Sequence, residues 1–140
     1  MPWKPQTPCR IPSCSNLVDR GQLCSVHRGK ITVICGLPGS GKSTWVKKQS
    51  RCGDVVWDFD ILFIALTGLS RSERPDECIP LVQAMRNGLI LGLIDHSIER
   101  DVWIIVTRED DAKDIAERLN GKLICLTITE QVRQERLAKR

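Results

Sequence analysis

The chain contains no tyrosine, two phenylalanines and two histidines among its 140 residues. Such an aromatic-poor, aliphatic-rich composition suits a core of Val, Ile and Leu, as buried parallel strands build. Two histidines leave no room for a catalytic centre assembled from several imidazoles. No apolar run approaches the roughly 18 residues needed to cross a bilayer. Residues 61–66 and 89–94 are shorter and read as buried segments. The N-terminus shows no apolar stretch of the secretory type, so a cytoplasmic location and no membrane partner are expected.

Acidic charge is almost missing from the first thirty residues. Lys4, Arg10, Arg20, Arg28 and Lys30 stand there against Asp19 alone, while the remainder balances, within a net charge of +4. Such a basic arm has either a polyanionic partner or merely a solvated surface. The seven cysteines are an odd number, which argues against a simple disulfide framework. Cys35 and Cys125 lie in apolar runs and read as small hydrophobes. Cys52 and Cys78 fall in apparent loops and carry no assignment.

What the chain does have is concentrated between Gly36 and Thr44, which read GLPGSGKST. The pattern is G-x-x-x-x-G-K-[ST]. Glycines let successive backbone N–H groups turn inward around phosphate oxygens. Gly36, Leu37, Pro38, Gly39, Ser40, Gly41, Lys42, Ser43 and Thr44 are therefore the expected nucleotide-binding residues. Lys42 is expected to reach the β- and γ-phosphates of ATP, and the Ser43 hydroxyl to bind Mg²⁺. A β-branched run, Ile31-Thr32-Val33-Ile34-Cys35, precedes the loop and a helical stretch follows it. Strand, glycine turn and helix form the context that the motif requires.

Cys9, Cys14, Cys24 and His27 offer three thiolates and one imidazole within 19 residues. Zn²⁺ prefers four such ligands in a tetrahedron, and Cys3His is a closed, structural set. Turn formers surround them, and few side chains nearby are apolar. A segment this poor in apolar residues needs metal to hold a fold. Free thiols in a tail, or a redox pair, are the competing readings. The stretch resembles the cysteine-histidine knuckle that precedes the nuclease domain of phage HNH endonucleases. The histidine-rich catalytic motif that follows in those proteins has no counterpart here.

From residue 30 onward strands and helices alternate. Strands are expected over 31–35, 54–57, 101–107 and 122–127. Helices are expected over 42–50, 59–66, 79–99, 110–119 and 130–139. The fold expected is a three-layer α/β/α parallel sheet of the P-loop NTPase kind, residues 30–140, with a small zinc module, residues 1–29. This body resembles the P-loop kinase superfamily, and within it the polynucleotide-kinase-type and zeta-toxin-type ATP-binding proteins common in phages. A phage origin would place it in the host cytoplasm.

Asp58 and Asp60 lie at the end of the second strand, where ligands of a parallel sheet bind. Two residues apart on extended backbone, their carboxylates should point the same way. The resemblance implies that one accepts the proton of the attacking hydroxyl and the other orients magnesium. The competing reading makes one of them a helix cap. The resemblance also implies that Arg86 lies near the acceptor; otherwise it is a solvated arginine. It implies that Arg133 and Arg136, with Lys139 and Arg140, open a lid that neutralises the transferring phosphoryl group. A salt-laced surface helix containing Glu130 and Glu135 is the alternative. Arg71 and Arg74 read as solvated loop charges.

Two departures stand out. The third strand ends in Val106-Thr107-Arg108, without the usual carboxylate for magnesium. The sequence also stops where the lid and a fifth strand are expected. Two functional readings follow: an ATP-dependent phosphotransferase acting on a hydroxyl of a nucleic-acid end, nucleotide or metabolite, or a nucleotide-binding adaptor that presents its zinc module to nucleic acid or a phage protein. A metal-dependent nuclease has only the cysteine-histidine stretch behind it. Oligomeric state is left open.

Overall fold

The computed structural model describes residues 7–18, 22–37, 40–69, 73, 75–127, 132, 135 and 137–138. Four parallel strands, β1 (Ile31–Cys35), β2 (Val55–Trp57), β3 (Val102–Val106) and β4 (Lys122–Cys125), form one sheet in the order β2-β3-β1-β4. The register sets Ile31 beside Val102 and Cys35 beside both Val106 and Cys125. Helices α1 (Lys42–Gln49), α2 (Phe59–Thr67), α3 (Ile79–Asp95) and α4 (Glu109–Leu119) connect them.

The two-residue period of the strands divides the core into two faces. Ile31, Val33 and Cys35, with Val102, Ile104 and Val106, face a cluster completed by Phe63 of α2, Val82, Ile90 and Leu93 of α3, and Ala112, Ile115 and Leu119 of α4. Ile34 and Ile105 point the other way, onto Val46 of α1 and the ring of Trp103. Helices therefore cover both faces, as an α/β parallel sheet requires. Each such fully buried aliphatic side chain contributes about 1.5–3 kcal/mol of transfer free energy.

Helix α4 shows how local sequence sets an element. Ala112, Ile115, Ala116 and Leu119 recur at helical spacing and are buried. Glu109, Asp110 and Asp111 occupy its first turn, where the helix dipole favours negative charge. Asn120 ends it with φ 50°, a left-handed conformation that asparagine tolerates.

Several expected boundaries shift. Helix α3 stops at Asp95 rather than residue 99, because His96 turns extended and the chain heads into β3. Strand β4 ends at Cys125, and β3 at Val106. Residues 61–66 are not a buried segment. In α2 only Phe63 is buried, and Ile61, Ile64 and Leu66 are exposed. The stretch Asp76–Asp95 is, by length and composition, apolar enough to cross a membrane, which revises the reading that no run comes close. In this fold its Val82, Ile90 and Leu93 pack into the core, while Leu81, Met85 and Leu91 are exposed. Most of the expected last helix, including Glu130, Arg133, Arg136, Lys139 and Arg140, lies outside the described residues, as do Arg71 and Arg74.

The N-terminal stretch packs at the amino ends of the strands. The backbone N–H of Gly29 donates to the Ile98 carbonyl at 2.7 Å, and that of Lys30 to the Asp101 carboxylate at 2.9 Å. Gln22 grips the end of α3 from both sides of its amide. Its Nε2 donates to the Asp95 carbonyl at 2.9 Å, and its Oε1 accepts from the Ser97 N–H at 3.1 Å. Gly29 has to be glycine for this approach, since a Cβ there would collide with the carbonyl of Arg100.

Candidate functional site: a phosphate loop, a hydroxyl–carboxylate pair and a Cys3His cluster

The phosphate loop leaves the carboxyl end of β1 and enters α1, whose first residue is Lys42. Gly41 adopts φ 88°, the left-handed turn that delivers the chain into the helix without a Cβ clash. The Ser40 N–H donates to the Leu37 carbonyl at 3.0 Å, and the Trp45 N–H to the Gly41 carbonyl at 2.9 Å. The Lys42 ammonium donates to the carbonyls of Gly36 and Leu37, folding back over the loop. Ser40 is buried, yet its Oγ has no hydrogen-bond partner among the described residues. A buried hydroxyl left unpaired is costly, and a phosphate oxygen in the loop would satisfy it. Thr44 is exposed on the first turn of α1. Pro38 and Gly39 lie outside the described residues.

A hydrogen bond links the start of α1 to the residue that follows β2. The Ser43 hydroxyl donates to Oδ2 of Asp58 at 2.8 Å. A hydroxyl and a carboxylate side by side are the hard oxygen donors that Mg²⁺ takes. The donor set therefore fits the ion. Asp58 also caps α2, with Oδ1 accepting from the Asp60 N–H at 3.0 Å. This corrects the expectation of two carboxylates on one extended segment. Backbone at Asp58 is extended, but Asp60 already lies in the first turn of α2. The capping bond starts the helix one residue before Asp60, so the two residues do not share one extended segment.

Arg86 does not project into solvent. Its guanidinium lies over the ring of Trp57, 5.8 Å from the centroid. Arg86 Nε and Trp57 Nε1 are both buried with no hydrogen-bond partner. The sequence reading gave Trp57 no role, although it immediately precedes Asp58 at the carboxyl end of β2. Arg133 and Arg136, expected to close over this end, lie outside the described residues.

A cavity of about 730 Å³ opens beside the loop, lined by Gly36, Leu37 and Ser40 together with Thr107, Arg108 and Cys125. Arg108 had no assignment either. Its place after β3, at the carboxyl edge of a parallel sheet, was the available signal.

The second candidate site lies at the opposite end of the sheet. An antiparallel bridge between Pro8 and Leu17 folds the segment back on itself. It brings Cys9, Cys14, Cys24 and His27 together, with their ligand atoms all within 4.8 Å of one another. His27 Nδ1 lies 3.2 Å from Cys24 Sγ and 3.6 Å from Cys9 Sγ, and Cys14 Sγ lies 3.9 Å from Cys24 Sγ. Tetrahedral Zn²⁺ at ordinary bond lengths calls for sulfur–sulfur edges of about 3.8 Å and sulfur–nitrogen edges of about 3.6 Å. The four atoms fit the ion. Burial works against ionisation of the Cys24 thiol, but hydrogen bonds from Asn16, the His27 ring and the backbone of His27 and Val26 outweigh it, bringing its pKa down to about 6. The bond to Cys24 raises His27, against the effect of burial. Beyond the ligands, little apolar material holds this segment: Val18 and Leu23 are its buried aliphatics.

No family model matches the chain, and no curated protein does. Among solved structures it is similar to a gluconokinase from Sinorhizobium meliloti 1021, at 22% identity and a TM-score of 0.45, over 81% of this chain and 66% of that one. The α/β assignment rests on the parallel strand order β2-β3-β1-β4 and on the helices packed against both faces of the sheet.

Proposed function

We propose that this protein is an ATP-dependent phosphotransferase that moves the γ-phosphate to a hydroxyl acceptor. Residues 30–140 form its nucleotide-binding part, and residues 1–29 a structural zinc module. The carrying observation is the 2.8 Å bond from Ser43 to Asp58, next to a lysine poised over the loop.

In this reading Lys42 leaves the Gly36 and Leu37 carbonyls for the phosphate oxygens, while Ser40 and the N-terminus of α1 hold them. Ser43 and Asp58 hold Mg²⁺, which when bound neutralises phosphate charge. Asp58 is committed to Ser43 and to its helix cap. Asp60, in the first turn of α2 beside Asp58, is the group assigned to accept the proton of the acceptor hydroxyl. Arg86, stacked on Trp57, brings a cation and unpaired N–H donors to the acceptor side, which suits an acceptor that already carries an anion. Arg133 and Arg136 would steady the transferring group.

The test is transfer of labelled γ-phosphate. Asp60→Asn should cut the rate by about 10²–10⁴-fold, the range of a general base, with Mg·ATP affinity unchanged. Transfer at the wild-type rate would remove Asp60 from this role.

A second reading is a nucleotide-binding adaptor. It is favoured by the end of β3, where Thr107 and Arg108 stand in place of a carboxylate, and by the zinc module's position at the far end of the sheet. Arg28 of the module, with Lys30 and Lys122 of the body, lines a cleft of about 260 Å³ that has no carboxylate among its described lining residues. Such a cleft suits nucleic-acid phosphates. A nucleic acid held there would have to run the length of β1, about 16 Å, to reach Lys42. An adaptor would bind nucleotide normally and transfer nothing to any acceptor.

A further inference from the structure

Cysteines read as strand hydrophobes end β1 and β4, and only one of them is buried. Cys35 is 5% exposed, whereas Cys125 is open to solvent. The parallel register sets the two directly opposite each other. In-register neighbours project to the same face, and both line the cavity beside the phosphate loop. Their thiols interact: the Cys35 pKa is raised first by burial and then by the charge and hydrogen bonding of Cys125. Adjacent strands lie about 4.8 Å apart, inside the window of about 4.4–6.8 Å in which two Cα atoms can carry a disulfide. The required Cβ spacing is about 3.5–4.5 Å. A disulfide therefore fits if the two strand ends draw slightly together.

We propose that Cys35 and Cys125 form an oxidisable dithiol in the wall of the phosphate-loop cavity, which peroxide converts to an intramolecular disulfide. The asymmetry of exposure sets the order of events. Peroxide reaches Cys125, whose sulfur takes one oxygen to become a sulfenic acid while the other leaves as water. The Cys35 sulfur then attacks the Cys125 sulfur. The S–S bond forms, the S–O bond breaks, and hydroxide departs with the Cys35 proton as a second water. Two thiols and one peroxide give one disulfide and two waters. A thiol such as dithiothreitol reverses it.

The site adjoins the phosphate loop through the backbone. Cys35 is followed at once by Gly36, and the Leu126 N–H donates to the Cys35 carbonyl at 2.8 Å. A Cβ on Gly36 would crowd the Leu126 carbonyl and meet Ser40 Oγ, so the loop is closely packed against the continuation of β4. Drawing Cys35 and Cys125 together presses Leu126 onto the first residue of the loop. Oxidation is thus expected to weaken triphosphate binding, an expectation that rests on the phosphotransferase reading.

The test is made on the full, zinc-loaded chain with Cys52→Ser and Cys78→Ser, which remove the other two cysteines outside the zinc set. Sub-stoichiometric peroxide is followed by alkylation and peptide mapping. The expected result is a cross-linked peptide joining Cys35 to Cys125, lost on reduction. In Cys35→Ser, a dimedone adduct should accumulate on Cys125 instead. Free Cys35 beside a trapped or over-oxidised Cys125 in the parent chain would overturn the proposal. So would cross-links between Cys125 and a zinc-ligand cysteine only. Calorimetry with Mg·ATP before and after oxidation should show at least tenfold weaker binding, recovered with dithiothreitol and insensitive to peroxide in Cys125→Ser. A cross-link in a chain that never binds Mg·ATP sinks the phosphotransferase reading and leaves the dithiol standing. Binding without a cross-link does the reverse.

Discussion

The two ends of the sheet are held by different physics. At the carboxyl end, the glycine-rich loop follows a strand buried on both faces, with Val33, Ile34, Ile104 and Ile105 buried in the sheet that carries it. At the amino end, residues 7–29 bury Val18 and Leu23 together with Cys9 and Cys24, themselves candidate ligands. A core makes the first end; four donor atoms of matching geometry make the second. The lesson is that the same chain should fail in two separable ways, one through the metal and one through the loop.

The largest expected separation comes from removing the metal. Structural Zn²⁺ contributes about 10–16 kcal/mol in zinc-finger peptides, and the Cys3His cluster is proposed to hold such an ion. Stripping zinc, or making Cys24→Ser, should abolish stoichiometric zinc and the hydrogen-exchange protection of residues 7–28. Protection of β1 and β3 should persist. If the strands lose protection along with the module, the two ends are one cooperative unit and the contrast is broken.

A smaller effect is expected where the N-terminal segment meets the sheet. Gly29→Ala puts a methyl group into the Arg100 carbonyl and should cost about 1–3 kcal/mol, the range of overpacking. Gln22→Ala removes both side-chain bonds to Asp95 and Ser97. At about 0.5–1.5 kcal/mol per bond, it should lower the denaturant midpoint while zinc stays bound. An unchanged midpoint would mean the module is merely tethered.

The smallest effect concerns the body alone. The Arg51 N–H and the Trp103 indole N–H donate to Asp54 at 2.8 and 3.0 Å, and these bonds hold its carboxyl below the ordinary value of 3.8. A depressed native pKa adds stability above the unfolded value, and this is lost as pH falls through the native one. Asp54→Asn should therefore flatten the acid limb of the stability profile below about pH 4, leaving nucleotide and zinc binding unchanged. A limb as steep as in the parent would assign the acid sensitivity to other carboxylates.

Most of this architecture was legible because its signals are local. The strand–glycine–helix order around Lys42, the continuous apolar run along 102–106 and the spacing of Cys9, Cys14, Cys24 and His27 all lie within short windows. What escaped depends on distance or on a single boundary. Gln22 meets Asp95 and Ser97 across more than seventy residues, with no periodic pattern to announce it. Asp60 was placed on extended backbone because its position turns on whether Asp58 caps α2, a one-residue matter. Ile61, Ile64 and Leu66 looked buried because apolar composition does not say which side of a helix meets the sheet. Cys125 looked like core because an edge strand and a central one read alike in a run of four residues.

The account turns on whether the loop at Gly36–Thr44 grips a magnesium triphosphate. Isothermal titration of the zinc-loaded chain with Mg·ATP measures this directly. The account predicts a saturable one-to-one isotherm, lost in Lys42→Ala with the thermal unfolding midpoint unchanged. No heat of binding from the parent chain, or equal binding by Lys42→Ala, would contradict it.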